Sequence, residues 1–314
     1  MTVYQAIDHG VVADGTTDDT PALNALLDTT VNGDTVVLPA NKTVCLKALV
    51  YVRKQITITG GRITLQSSSP AFWVRTGGVR FTDIEFVGKG AGTFDGAAVF
   101  IRANGTIEAP YKNLRFERLK MTGSPAVCLK IEYAEDVKIL DCTGLDFAYA
   151  GLLLVSVRDV TVRGCLIGDC THKQANSYGI TVTDTLNTEA ARSRDVLIDG
   201  NTVRNMRDWA GIDSHGGHNI RVVNNQLYGC AAGIDLVQGD NTRVVPPQRG
   251  LIANNYVEWT GANAQRGGIR LFGKDSTVLA SGVIANNTVV GYTQPVRAWS
   301  YDPTKTVLGQ NVML

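Results

Sequence analysis

IRVVNN, residues 220–225, sets apolar side chains at 220 and 222 around an arginine at 221 and then stops on two asparagines. That alternation belongs to a β-strand with one face in a core, and asparagine tolerates the left-handed backbone of a sharp turn. The pattern recurs along the chain in VRFTDI (79–84), LRFERL (114–119), VKILDC (137–142), VTVRGC (160–165), VLIDGN (196–201), LIANN (251–255) and VIANN (283–287). Their last positions are separated by 35, 23, 23, 36, 24, 30 and 32 residues. A unit near 23 residues that accepts insertions predicts a solenoid rather than a set of unrelated hairpins. Asn224–Asn225, Asn254–Asn255 and Asn286–Asn287 then stack at one corner, with amides bonding from rung to rung. Cys142 and Cys165 fall in an equivalent column and are read as inward-stacked thiols in preference to a disulfide.

A second ladder aligns independently of the first. AVCLK (126–130), GLLLV (151–155), GITVT (179–183), GIDSH (211–215), GIDLV (233–237) and GIRLF (268–272) mostly open on glycine and continue with a large apolar residue. Glycine there marks a turn into a strand whose alternate side chains enter the core. Two ladders in one repeat predict an all-β chain, a single-stranded parallel β-helix, right-handed by the usual bias of parallel connections. Residues 1–34 read as its amino-terminal cap and 35–314 as its body. Within the cap, Thr20 is placed to cap a helix that starts at Pro21 and turns Ala22, Leu23, Leu26 and Leu27 to one side. TVVLPANKTVCL (35–46) reads as the first strand and turn.

Composition narrows the function classes. The 314 residues are 44% hydrophobic, enough for one sizeable core, and 30 Lys plus Arg against 29 Asp plus Glu leave a formal charge of +1. With no basic run, nucleic acid is not an expected partner. No stretch is apolar for the roughly 20 residues that span a bilayer, so no membrane insertion is expected. The start, MTVYQAIDHG, has neither the basic segment nor the apolar run of a signal peptide. The six cysteines include no CxxC pair and read as small core residues.

GVVADGTTDDTPALNALL (10–27) resembles the amino-terminal motif of the pectate-lyase-like β-helix superfamily. That superfamily contains polysaccharide lyases, mannuronan epimerases and phage tailspike depolymerases. Together with the rungs that follow, the resemblance covers nearly the whole chain and speaks to architecture more than to reaction type. It implies a polysaccharide as partner, an extracellular or virion-associated setting reached without a visible signal peptide, and, on the tailspike side, a homotrimer. The Asp18–Asp19 pair belongs to the cap motif, where turn and helix-end amides are its expected partners.

Outward positions of the second ladder, aligned from the strand starts, read Cys128, Leu153, Thr181, Asp213, Asp235 and Arg270. Two residues later they read Lys130, Val155, Thr183, His215, Val237 and Phe272. Asp213, His215, Asp235 and Arg270 therefore converge as the candidate catalytic group. In elimination from a uronate, His215 can serve as base or acid and Arg270 can hold the sugar carboxylate. In a hydrolase, Asp213 and Asp235 divide the acid and base or nucleophile roles, with an outcome that depends on their separation. The neighbouring segments HKQANSY (172–178), RNMRDW (204–209), QGDNTRVVPPQRG (238–250) and TGANAQRGG (260–268) suit the walls of a sugar groove, with Tyr178, Trp209 and Arg266 as substrate contacts. A soluble solenoid also exposes polar columns that merely solvate its wall.

WAGIDSH (209–215) resembles the YG-x-D-x-H region of mannuronan epimerases and alginate lyases. The comparison places Asp213 on the catalytic aspartate and His215 on the histidine, sets Trp209 in place of the tyrosine, and lends Lys173 the part of an upstream lysine. Trp cannot replace a phenol in proton transfer, which counts against epimerisation. No cofactor is required by the sequence. Calcium remains an option through Asp213, Asp235, Asn241 and loop carbonyls, although there is no DxDxDG-type loop.

Overall fold

A computed structural model describes residues 1–89, 99–123, 126–170, 176–186, 188–238, 245–261 and 265–314. The chain winds into a right-handed parallel β-helix with one short α-helix near its start. Among the described residues three sheets run the length of the solenoid: twelve strands from Val3–Gln5 to Tyr301–Leu308, twelve from Asp14–Asp18 to Val312–Met313, and ten from Val50–Val52 to Val296–Trp299. The strands within each sheet are parallel, and each pairs with the strand one turn before and after it. The repeats ending in Asp, Gly or Asn lie in the first of these sheets, and the glycine-led repeats lie in the third.

Winding starts earlier than residue 35. Val3–Gln5 pairs with Thr35–Val37, and Asp14–Asp18 pairs with Thr43–Leu46, so the cap segment already contributes rung strands. The helix, Thr20–Thr29, buries Thr20, Leu23, Leu26 and Leu27, and its three leucines join the main core. Thr20 does not cap it: the N-cap residue is Asp19, without a side-chain capping bond. The Thr20 hydroxyl instead accepts from the Lys47 and Ala48 amides at 3.1 and 3.2 Å. Asp19 is buried and accepts from the amides of Val12 (2.7 Å), Ala13 and Cys45 (3.0 Å), which pins the turn to the next rung. Asn24 bonds the Leu49 carbonyl and the Tyr51 amide, each at 3.0 Å. The helix thereby closes the exposed edge of the third sheet, whose outermost strand is Val50–Val52.

The corner between the first and second sheets explains the asparagine pairs. The first member of each pair has positive φ, 58° at Asn224, 58° at Asn254 and 57° at Asn286. The second member is buried and extends a ladder. Asn201 Nδ2 donates to Asn225 Oδ1 at 2.9 Å, Asn225 to Asn255 at 3.0 Å, Asn255 to Asn287 at 2.9 Å and Asn287 to Asn311 at 2.9 Å. The same oxygens accept backbone amides, beginning with Cys165 N to Asn201 Oδ1 at 2.9 Å, so Cys165 occupies the ladder's column one rung earlier. All six cysteines are free. A hydrogen bond with Cys142 and burial raise the Cys165 thiol well above its usual range.

Glycine at the head of the third-sheet strands is required by close approach. A Cβ at Gly179 would lie 2.5 Å from the Gly211 carbonyl oxygen, and one at Gly233 would lie 2.3 Å from that of Gly268. Among the described residues no helix is long and apolar enough to cross a membrane.

Candidate functional site

The outward face of the third sheet carries the four residues singled out above. Register pairs Thr181 with Asp213, Asp213 with Asp235 and Asp235 with Arg270, and His215 follows Asp213 on the same face. Asp213 Oδ2 lies 3.0 Å from His215 Nε2 and accepts the Thr181 hydroxyl at 3.2 Å. Arg270 grips Asp235 with both Nε, at 2.7 Å from Oδ1, and Nη2.

Although they face outward, the carboxylates are covered: Asp213 is 1% and Asp235 2% exposed, whereas the His215 side chain keeps 20%. Burial pushes the Asp235 carboxyl up, and the neighbouring Asp213 charge adds to this, against the pull of the Arg270 fork. Burial also opposes the charge on Arg270, but the hydrogen bond and charge of Asp235 outweigh it and raise the guanidinium further. Arg270 is therefore a structural counter-ion before it is anything else, and the sugar-carboxylate role expected of it meets a group already engaged by Asp235.

These residues floor a cavity of about 570 Å³, which is also lined by Tyr149, Tyr178, Trp209, Arg266 and Phe272. Tyr178 packs edge-on to His215 with ring centroids 6.2 Å apart, and Tyr149 packs edge-on to Tyr178 at 5.8 Å. Burial, then the Asp213 charge, drives both phenols above the usual tyrosine range, Tyr178 far above it. Trp209 packs against the cluster that contains Tyr178 and carries the Arg266 guanidinium on its face, 3.7 Å from the ring centroid. Arg266 is exposed, and no carboxylate lies within 4.0 Å of it among the described residues. Tyr178, Trp209 and Arg266 thus join the four; Lys173 and Asn241 lie outside the described residues.

Two alignments made on the sequence shift. The register pairs Leu153 with Lys130 rather than with Cys128, and Val155 with Glu132 rather than with Lys130. Cys128 is an inward core residue, fully buried. The tyrosine of YG-x-D-x-H stands directly before glycine, a place held here by Ala210 rather than Trp209. Ala210 pairs with Tyr178, so the preceding rung offers a phenol in the same column. Tyr149 was not anticipated; the signal was YAG (149–151) read against WAG (209–211). Stacked Phe272 and Trp299, with centroids 3.8 Å apart, extend the aromatic surface by one rung.

Of the ligands expected for calcium, Asn241 lies outside the described residues and both aspartates are engaged within the protein. Asp213 is engaged by His215 and Thr181 and Asp235 by Arg270, so binding an ion would require breaking a buried pair. No group of three or more potential ligands among His, Cys, Asp and Glu assembles among the described residues.

No family model matches the chain, and no curated protein matches it by sequence. Solved structures do. The catalytic unit of a thermostable GH87 alpha-1,3-glucanase from Streptomyces thermodiastaticus strain HF3-3 superposes with a TM-score of 0.75 at 16% identity, covering 95% of this chain and 56% of that one. The Dettilon tailspike protein gives 0.70 at 14% identity over 99% of this chain and 61% of the tailspike. PfbA, a surface adhesin of Streptococcus pneumoniae, gives 0.67 at 13% identity over 99% and 89%. The chain spans about six-tenths of the tailspike's length. At these identities the likeness shows the fold alone, a right-handed parallel β-helix.

Proposed function

We propose that this β-helix is a polysaccharide depolymerase that cleaves a uronate-containing surface or extracellular glycan by elimination. The observation that carries this reading is what the cavity presents to a ligand. The imidazole of His215 keeps a fifth of its side chain exposed in the cavity, with the largely buried Tyr178 ring packed against it, while the two carboxylates beside them are almost wholly covered. A hydrolase needs at least one carboxyl group in contact with the glycosidic oxygen or the anomeric carbon. Elimination needs an exchangeable base and an acid, with carboxylates in supporting roles.

In this reading Asp213 fixes the ring of His215 through Nε2, and the other ring nitrogen takes the proton beside the sugar carboxylate. The electron pair of the broken C–H bond becomes the new carbon–carbon double bond, and the bond to the glycosidic oxygen breaks. That oxygen takes its proton from the Tyr178 phenol, which its raised proton affinity keeps protonated at neutral pH. The imidazolium then returns a proton to the phenolate, which closes the cycle. Arg266, exposed at the rim, replaces Arg270 as the cation that neutralises the uronate carboxylate, and Trp209 holds its guanidinium flat.

A hydrolase that uses Asp235 as acid and Asp213 as its partner is the second reading, favoured by the upward shift of Asp235. A noncatalytic glycan-binding module is the third, and the similarity to an adhesin keeps it in view. Incubation with capsular, alginate, pectic and teichoic-type polymers, followed by mass spectrometry of new chain ends, separates them. Elimination yields unsaturated terminal uronates, and hydrolysis adds one water per break. Binding without new ends leaves the adhesin-like reading. His215→Gln and Asp213→Asn are expected to lower turnover by about 10²- to 10⁴-fold with circular dichroism unchanged; full activity in both would refute the site. Such an enzyme would work outside the cell or on a virion, and sedimentation would show whether it assembles as a homotrimer.

A further inference from the structure

The outward column that contains Asp213 runs back through Thr181, Leu153, Lys130 and Arg102 to Trp73 and Tyr51. Trp73 lies five rungs before Asp213, about 24 Å at the ~4.8 Å spacing of paired strands. It is therefore well clear of the cavity. Tyr51 and Trp73 stack there with centroids 6.1 Å apart and planes 25° from parallel. Three guanidinium groups lie on these two rings: Arg53 over Tyr51 at 4.3 Å, and Arg75 and Arg102 over Trp73 at 4.9 and 5.3 Å.

Charge on this patch is unbalanced. Glu132 is the carboxylate on the sheet face itself, and it is shared between Arg102 at 3.0 Å and Lys130 at 3.2 Å. Arg53 has only a long contact to exposed Asp28, at 3.7 Å. Arg75 is exposed, with no carboxylate within 4.0 Å among the described residues. Two donors on the patch, Trp73 Nε1 and Arg102 Nε, are covered and have no hydrogen-bond partner among the described residues. A covered donor without a partner is costly, so a ligand whose binding brings an acceptor to either group gains by it.

We propose that the Tyr51–Trp73 platform with Arg53, Arg75 and Arg102 is a second glycan-binding site, specific for acidic polysaccharide. The flat rings take the apolar face of a sugar, as aromatic side chains with one wet edge do. The guanidinium groups around them take carboxylate or sulfate groups on the same or the adjoining residue. Because platform and cavity share one column of one sheet, a single polymer laid along the solenoid reaches both. The platform then anchors a long chain at a distance from the point of cleavage, and it binds whether or not the cavity is catalytic.

Electrophoresis of the full chain through native gels that contain alginate or polygalacturonate, with dextran as the neutral control, tests the site without reference to turnover. The acidic polymers are expected to retard the protein and dextran to leave it unaffected. Arg75→Gln, an exposed change that spares the core, should weaken retardation about fivefold, the worth of one exposed ion pair with the polymer. Trp73→Ala should remove most of it, while Asp213→Asn should retain it. Absence of retardation in both acidic polymers, equal retardation by dextran, or full retardation in Arg75→Gln and Trp73→Ala would overturn the proposal. Retardation without any new chain ends would uphold the platform and refute the depolymerase instead.

Discussion

Replacing Asn255 with alanine is expected to destabilise the fold by about 3 kcal/mol, a large share of the ~5–15 kcal/mol that holds a typical domain together. The figure follows from what the amide does. Its oxygen accepts the buried Asn225 N–H at 2.9 Å and the Asn225 side chain at 3.0 Å. Its nitrogen donates to the Val222 and Ala253 carbonyls, at 2.9 and 3.1 Å, and to Asn287. Truncation leaves the Asn225 backbone N–H without an acceptor, at about 1–3 kcal/mol, and opens a small void on top of that. The Asn225 side chain keeps its bonds to the Ile198 and Val223 carbonyls, so the loss stays local. Asn255→Asp should be worse at neutral pH, because it points a second acceptor at three others and buries a charge. Urea denaturation followed by circular dichroism measures both. A cost below about 1 kcal/mol for alanine, or an aspartate variant as stable as the native protein, would refute the ladder as a source of stability.

Further outcomes follow from the burial pattern. Tyr178→Phe keeps the ring and loses the proton, so binding of polymer should persist while turnover falls; equal loss of both would remove Tyr178 from the acid role. Native protein treated with a thiol reagent near neutral pH should label Cys170, which is half-buried, before the other five, with all six reacting in guanidinium. Cys230, pushed up to about 12 by burial, should be among the slowest. Rapid native labelling of Cys142 or Cys165, or a linked peptide between them, would contradict the packed thiol column. Burial raises Asp235, so the folded chain binds its proton at pH values where the unfolded chain has released it. The stability that results is present below the ordinary carboxylate range and is lost as pH climbs through the raised value. Asp235→Asn should flatten stability against pH across that window, and an unchanged profile would count against the shift.

Much of the architecture was legible because it is written in positions that admit few residue types. Asparagine and aspartate at a left-handed corner, and glycine where one rung's backbone nearly touches the next, recur whatever the loops between them do. Register failed where that marker was missing. Val127 pairs with Ala150, so Cys128 falls in the glycine column opposite Gly151; aligned instead by strand start, Lys130 and Cys128 slid two residues. For the site, column adjacency brought Asp213, Asp235 and Arg270 together correctly, but adjacency is silent on what a neighbour does. Arg270 spends its fork on Asp235, and side-chain direction rather than sequence spacing decides that. Tyr149 was missed for a related reason, since it sits just before its strand, outside the alternating part that periodicity can read.

The asparagine ladder also has a consequence for how this scaffold can change. It fixes one corner of the turns from Asn201 to Asn311, while the spacings between its successive asparagines range from 24 to 32 residues. Lengthening a loop elsewhere on the turn adds only the slowly growing entropy of a longer closure, about 0.6 kcal/mol per doubling. That is less than the loss of one ladder amide. Walls around the cavity can therefore be exchanged between rungs or rebuilt for another glycan as if they were attachments on a ruled bar. The graduations stay in place when the fittings are changed.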